Sequence, residues 1–196
     1  MTFELHAPSY APVAPALLTR PSFAVLDETP ADVAAREALL DASFGPARFL
    51  KTCERLREGA APATGLALVA KDEAGDLIAT IRLWPIFAGG RRPALLLGPL
   101  AVAEHARALG LGAGMMRAAL ARAQALGHRA VLLVGDEPYY RRFGFERRFT
   151  EKLVMPGPVE RARFLGLELA SGALEGASGR VSAAPRDVSL TLPRAA

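Results

Sequence analysis

Two apolar runs constrain the fold of this chain more than any other feature of its sequence, 94-ALLLGPLAV-102 and 129-RAVLLVG-135. Runs that are apolar almost throughout are typical of central strands covered on both faces and paired in parallel. Between them, a glycine-rich turn leads into a helix predicted over 112–127, whose buried stripe consists of Met116, Leu120 and Ala123. The sequence therefore predicts a strand, glycine turn, helix, strand unit.

Pro99 interrupts the first of these runs. Proline has no backbone N–H to donate and is disfavoured inside a central strand, so we expect a bulge there or a place where neighbouring strands separate. Strands that separate leave backbone groups without partners, and a ligand is one candidate to satisfy them.

The flanking segments predict further elements of one domain. A strand over 22–28 precedes a helix over 29–44, for which Thr29 is the expected N-cap. A second helix is predicted over 46–59, with Phe49, Cys53 and Leu56 on its buried face. A hairpin over 65–87, a short helix within 136–144 and a strand within 163–174 complete the predicted elements.

The two ends of the chain differ in composition from its middle. Prolines at 8, 12, 15 and 21 predict an extended leader over 1–21, and glycine, serine and alanine predict a weakly ordered tail over 175–196. The domain is therefore expected over 22–174. No secretory signal or membrane-length apolar segment is found, and the single cysteine excludes an internal disulfide, so a cytoplasmic location is expected.

The net charge of +4 comes with interspersed arginines and acids rather than a basic run. Nucleic-acid binding needs clustered positive charge, so we expect no nucleic-acid partner and no membrane partner. No His, Cys, Asp and Glu spacing indicates a metal site.

The turn 107-RALGLGAGMM-116 admits two interpretations. It lacks the lysine of a P-loop, and its spacing does not fit a Rossmann fingerprint. Its glycines, its arginine and the positive end of the following helix would suit a pyrophosphate. Alternatively, it is only a tight entry into the helix.

The segment 97–146 resembles the core of the GNAT superfamily of N-acetyltransferases. The superfamily's Arg/Gln-x-x-Gly-x-Gly/Ala pattern matches Arg107, Gly110 and Gly112, and its Tyr-x-x-x-Gly-Phe element matches Tyr140, Gly144 and Phe145. Within it, the Gly-Asp-x-x-Tyr-Tyr-x-x-Phe-Gly-Phe run at 135–145 resembles the bacterial group of YhbS-like predicted acetyltransferases.

This resemblance implies an α/β fold with a mixed, mostly antiparallel central sheet, a splayed parallel pair and flanking helices. It also implies acetyl-CoA as co-substrate. Its pantetheine arm would pair with the backbone of Leu100, Ala101 and Val102. Its pyrophosphate would be held by Arg107, Leu109, Gly110, Leu111, Gly112, Ala113 and Gly114.

For catalysis, the resemblance assigns the general acid to Tyr140, because a phenol and a thiol have comparable proton affinities. A packing role for Tyr140 is the alternative. The nearest acid to the cofactor strand is Glu104, a candidate base that equally fits an exposed loop residue. The resemblance places the acceptor groove at 41–46 and 154–162, which offer Asp41, Phe44 and Glu160.

The sequence leaves the acceptor open between a small amine and a protein N-terminus, and a homodimer is compatible with it. The expected function is acetyl transfer to a primary amine by direct attack in a ternary complex. A non-catalytic acetyl-CoA sensor and a nucleic-acid-associated protein are the alternatives, and the interspersed acids argue against the second.

Overall fold

A computed structural model describes residues 23–185 of the chain. The helices in this part are α1 (Val33–Phe44), α2 (Glu54–Arg57), α3 (Leu111–Ala125) and α4 (Glu137–Tyr140). The strands are β1 (Ala24–Asp27), β2 (Ala67–Lys71), β3 (Leu77–Ala88), β4 (Pro93–Val102), β5 (Ala130–Val134), β6 (Leu153–Val154), β7 (Phe164–Glu168) and β8 (Gly179–Ala183).

The main sheet runs in the order β1-β2-β3-β4-β5-β7, and along this path only β4 and β5 are parallel. Helix α3 connects these two strands, as the two apolar runs predicted, because parallel neighbours need a crossover. The predicted fold class, a mixed and mostly antiparallel sheet with one parallel pair and flanking helices, is confirmed.

The predicted hairpin over 65–87 is formed by β2 and β3. Asp72 shapes its turn, since one of its carboxylate oxygens accepts hydrogen bonds from the backbone N–H groups of Ala74 and Asp76 at 3.0 and 2.9 Å. This is the local side-chain bonding that makes aspartate a turn residue.

Apolar side chains cover both faces of the sheet. On one face, α3 buries Met115, Met116, Ala119, Leu120 and Ala123, which confirms its predicted stripe. The other face contains a second cluster that includes Trp84, Leu132 and Phe164. Both β4 and β5 contribute to each cluster, which explains why their sequences are apolar throughout.

The first predicted helix is confirmed, but the second is not one continuous helix. The segment 46–50 forms a 3-10 turn, Lys51 is extended with ψ of 142°, and only α2 follows. As a result Phe49, predicted on a buried face, is 58% exposed, whereas Leu56 is buried as expected. The interruption places residues 50–54 beside the cleft described below.

The predicted weakly ordered tail is wrong for its first part, because β8 lies within it. Ile86, Phe87 and Ala88 of β3 pair antiparallel with Ala183, Ser182 and Val181 of β8, and Val181 is fully buried. Residues 186–196 and the predicted leader over 1–21 lie outside the described residues.

Candidate active site

The parallel pair separates at the proline that interrupts β4. In the described part of the chain, β4 and β5 pair at two positions, Leu95 with Val131 and Leu96 with Leu132. Beyond this point β4 holds two residues, Gly98 and Pro99, where β3 holds one, which is the predicted bulge. The indole N–H of Trp84 donates to the Gly98 carbonyl at 2.7 Å and holds the bulge in place.

The separation leaves one edge of β4 without a strand partner among the described residues. Leu100, Ala101 and Val102 pair with β3 on their other side, opposite Ile81, Thr80 and Ala79. Ala101 is buried, whereas Leu100 and Val102 are partly exposed. Backbone groups on this edge can therefore accept an extended ligand in the manner of an added strand.

A cavity of about 760 Å³ lies at the point of separation. Gly98, Pro99 and Leu100 line it from β4, and Leu133 and Val134 line it from β5. Its volume is in the range of sites that take small molecules.

The glycine turn leads from β4 into α3. Gly110, with φ of 71°, adopts the left-handed conformation as N-cap of α3. The N–H of Gly114 already donates to the Gly110 carbonyl at 3.1 Å. The amides of Leu111, Gly112 and Ala113 precede this first helical bond and are the donors that a helix N-terminus can offer to an anion.

At two glycines of this turn, an added side chain would meet neighbouring atoms. A side-chain carbon at Gly112 would lie 3.0 Å from the Tyr139 hydroxyl and 3.5 Å from Val102. At Gly114 it would lie 2.7 Å from the ring of Phe23. A side chain at Gly114 would therefore require the Phe23 ring to move. The Gly114 amide already donates within the helix, which favours the residues before it as pyrophosphate donors.

The charged residues of the turn are exposed. Arg107 is bent back toward the strand, and its Nε donates to the Val102 carbonyl at 3.3 Å. Leu109 is 47% exposed at the end of the same 3-10 turn. Glu104, at its start, is exposed and does not line the cavity, so the structure does not bring the candidate base to Tyr140.

Tyr140 lines the cavity from the C-terminal end of α4. Its ring occupies the space that a side chain at Gly135 would need, and it packs edge-on against Tyr139 with ring centroids 4.9 Å apart. Burial, with smaller contributions from Tyr139 and Asp136, raises the pKa of Tyr140 to about 12. The phenol therefore keeps its proton at neutral pH.

Two of the three predicted acceptor-site residues line the cavity, namely Phe44 and Glu160. Asp41 does not; its carboxylate accepts a hydrogen bond from Arg48 Nε at 2.7 Å. Arg48 itself is a lining residue, so Asp41 orients a group on the cavity wall.

Several cavity residues were missed by the sequence analysis. Lys51, Glu54 and Arg57 come from the interrupted second helix, and Arg163 from the segment before β7. The helical periodicity of residues 46–59 predicts packing rather than a site, and Arg163 belongs to no motif that indicates function. Cys53 also lines the cavity, and burial raises the pKa of its thiol, which argues against a nucleophilic role.

Within residues 23–185, no cluster of three or more His, Cys, Asp or Glu side chains could hold a metal ion. No helix in the same range is long and apolar enough to cross a membrane.

Comparison with known proteins gives consistent matches. The sequence profile of the acetyltransferase (GNAT) domain matches residues 63–147. The uncharacterized N-acetyltransferase YhbS of Escherichia coli K12 is 33% identical over 155 residues, which is 79% of this chain and 92% of that protein.

Two crystal structures with bound cofactor are also similar. The first, the GNAT family N-acetyltransferase YhbS from Escherichia coli in complex with CoA, has a TM-score of 0.70 and 32% identity, covering 89% of this chain and 94% of that chain. The second, a GNAT family acetyltransferase from Brucella melitensis in complex with acetyl-CoA, has a TM-score of 0.57 and 28% identity, covering 75% of this chain and 88% of that chain.

Proposed function

The chain belongs to the GNAT family of acetyltransferases, and on that premise we propose that it transfers an acetyl group from acetyl-CoA to a primary amine. The transfer occurs by direct attack in a ternary complex. The observation that carries this proposal is the edge of β4 that no strand of residues 23–185 covers, which begins at the same bulge as the cavity lined by Tyr140.

The residues that would hold acetyl-CoA follow from this geometry. The free edge of Leu100, Ala101 and Val102 would pair with the pantetheine arm. The amides from Leu109 to Ala113 at the start of α3 would bind the pyrophosphate, and the exposed Arg107 is near enough in sequence to add a charged donor. Two similar proteins have been crystallised with CoA or acetyl-CoA, which supports this assignment.

Acetyl-CoA supplies an activated acetyl group and a thiolate leaving group. In the transfer, an N–C bond forms and the C–S bond breaks, while one proton leaves the nitrogen and one reaches the sulfur. The protein must therefore bind the amine next to the bulge, accept a proton from it and donate a proton to the thiolate.

Tyr140 is the proposed donor of the second proton. Its hydroxyl is protonated at neutral pH because its pKa is raised to about 12. The raised pKa keeps the proton on the phenol until the C–S bond breaks, and it also makes Tyr140 a weaker acid than a free phenol, so the donation depends on the hydroxyl being held next to the sulfur as the thiolate forms.

The first proton can be accepted by a carboxylate in the cavity. Glu54, Asp136 and Glu160 line it, and Glu54 is the least exposed of the three, with a side chain that is 28% exposed. Glu104, predicted from the resemblance, remains a candidate only if the bound substrates bring it nearer. The cytoplasmic location, the absence of a nucleic-acid partner and a homodimer also remain predictions.

Calorimetric titration with acetyl-CoA, followed by a screen of amines, amino acids and peptides read by thiol release, tests the proposal. We expect saturable binding and turnover with at least one amine. Absence of acetyl-CoA binding would overturn the proposal. Binding without turnover on any acceptor would instead support the alternative of a non-catalytic acetyl-CoA sensor.

A further inference from the structure

Two arginines with incompletely paired guanidinium groups lie in the cavity wall. Among residues 23–185, three buried side-chain N or O atoms have no hydrogen-bond partner: Nε of Arg57, Nε of Arg163 and Oγ1 of Thr80. The two arginines both line the cavity, while Thr80 does not. Because both side chains line the cavity, a ligand there can accept hydrogen bonds from the parts of the guanidinium groups that face it, while the two Nε atoms themselves lie buried behind the wall.

Arg57 is the more buried of the two. Its side chain is 10% exposed, and its Nη1 forms an ion pair with Glu54 at 2.6 Å. A side-chain carbon at Gly98 would lie 3.1 Å from its Nη2, so the guanidinium lies against the bulge where β4 leaves β5. A charge buried to this extent is stabilised when further hydrogen bonds satisfy its remaining donors.

Both arginines have carboxylate partners that also line the cavity. Arg163 is 3.1 Å from Asp136 and 4.0 Å from Glu160, and both of these carboxylates line the cavity together with Glu54. Each arginine with an unpaired Nε thus has a carboxylate neighbour. A ligand with one positive and one negative group at short spacing matches this arrangement better than a simple amine or a simple acid does.

We propose that the acceptor is an amino acid or a closely similar small molecule. Arg57 and Arg163 bind the carboxylate group of this ligand, and its primary amine is the group that is acetylated. This inference rests on the proposed acetyl transfer. The planar guanidinium of arginine binds a carboxylate through parallel N–H donors, which a lysine ammonium does not reproduce. The carboxylates of the wall then face the ammonium group and take its proton when the amine becomes the nucleophile.

The test compares the common L-amino acids with their carboxamides as acceptors, in the wild-type protein and in Arg57→Gln. We expect KM to be lower for the acids, and the substitution to raise KM for the acids by about tenfold or more, as loss of a charged hydrogen bond does. KM for the carboxamides should be unchanged. Arg91→Gln, which removes the same charge from the exposed turn between β3 and β4, is the matched control and should leave both values unchanged.

Arg57→Lys controls for misfolding of Arg57→Gln, because it keeps the positive charge beside Glu54. It should retain cofactor binding and show the same loss of preference for acids. Carboxamides used as well as acids, or a preference that survives both substitutions, would overturn the inference while leaving acetyl transfer intact.

Absence of transfer to either series, while another amine of the screen is acetylated, would overturn the inference and leave the proposed function intact. Absence of transfer to every amine of the screen, with acetyl-CoA bound, would contradict the proposed function instead. In that case calorimetric titration of the CoA-loaded protein with the same acids and carboxamides decides the inference separately. Binding of acids alone that Arg57→Gln abolishes would support the carboxylate site, and equal or absent binding of both would overturn it.

Discussion

The indole N–H of Trp84 lies 2.7 Å from the carbonyl oxygen of Gly98 and donates a hydrogen bond to it. This contact joins the middle of β3 to the bulge of β4, at the residue where β4 stops pairing with β5. Trp84 is buried and its ring belongs to the second apolar cluster, so this hydrogen bond anchors the bulge to the core of the protein.

We expect Trp84→Phe to lower the free energy of unfolding by about 2 kcal/mol, since it leaves the buried Gly98 carbonyl unpaired and removes ring volume. It should also weaken acetyl-CoA binding, because the bulge loses its anchor. Urea unfolding and calorimetric titration measure the two effects. Phe164→Leu is the control: it alters the same apolar cluster without a hydrogen bond and should reduce stability only. An unchanged dissociation constant for acetyl-CoA in Trp84→Phe would show that cofactor binding does not depend on this anchor of the bulge.

Gly112→Val tests the proposed cofactor turn. The added side chain meets the Tyr139 hydroxyl and Val102, both within 3.5 Å of its first carbon, so it should raise the dissociation constant for acetyl-CoA by about tenfold, or roughly 1.4 kcal/mol. Ala121→Val adds a β-branched side chain to the exposed face of the same helix and should leave the constant unchanged. If both variants bind acetyl-CoA alike, the turn does not contact the cofactor.

Tyr140→Phe should lower kcat by about 100-fold, because it removes the proton that the departing thiolate needs. The ring remains to pack beside Gly135, so the dissociation constant for acetyl-CoA should stay within about twofold of the wild-type value. Thiol release measures the first quantity and calorimetry the second. Undiminished turnover would remove the acid role from Tyr140 and leave its packing role.

The stability of the folded protein should depend on Tyr140 at alkaline pH. Burial raises the pKa of Tyr140 to about 12 in the folded state, whereas an unfolded tyrosine titrates near pH 10. The unfolded state therefore releases this proton first, and the free energy of unfolding falls as pH rises from about 10 to 12, by on the order of 2 kcal/mol.

Urea unfolding between pH 8 and pH 12 should show this loss in the wild-type protein and a smaller loss in Tyr140→Phe, which lacks the titrating group. Below pH 10 the difference in stability between the two proteins should not change with pH. Identical alkaline profiles would mean that the phenol is as hydrated in the folded state as in the unfolded state.

Local sequence determined the parts of this protein that depend on near neighbours. The continuous apolar runs at 94–102 and 129–135 became the parallel strands β4 and β5, because strands covered on both faces need apolar residues at every position. Pro99 predicted the bulge because proline cannot donate a ladder hydrogen bond. The glycine turn, the proposed pyrophosphate site, could be located for the same reason. The left-handed conformation of Gly110 and the close neighbours of Gly112 fall within one short segment.

Only the tertiary structure shows which other side chains line the cavity and that β8 adds to the sheet. Arg57 and Arg163 are more than a hundred residues apart, and their convergence on one cavity follows from packing that no short pattern encodes. Likewise, the glycine and serine content before β8 indicated weak order, yet β8 pairs with the edge offered by Ile86–Ala88. The backbone of Ser178 occupies the space that a side chain at Gly89 would need. A strand of this kind is stabilised by its partner's free hydrogen-bonding groups, which belong to a distant part of the chain.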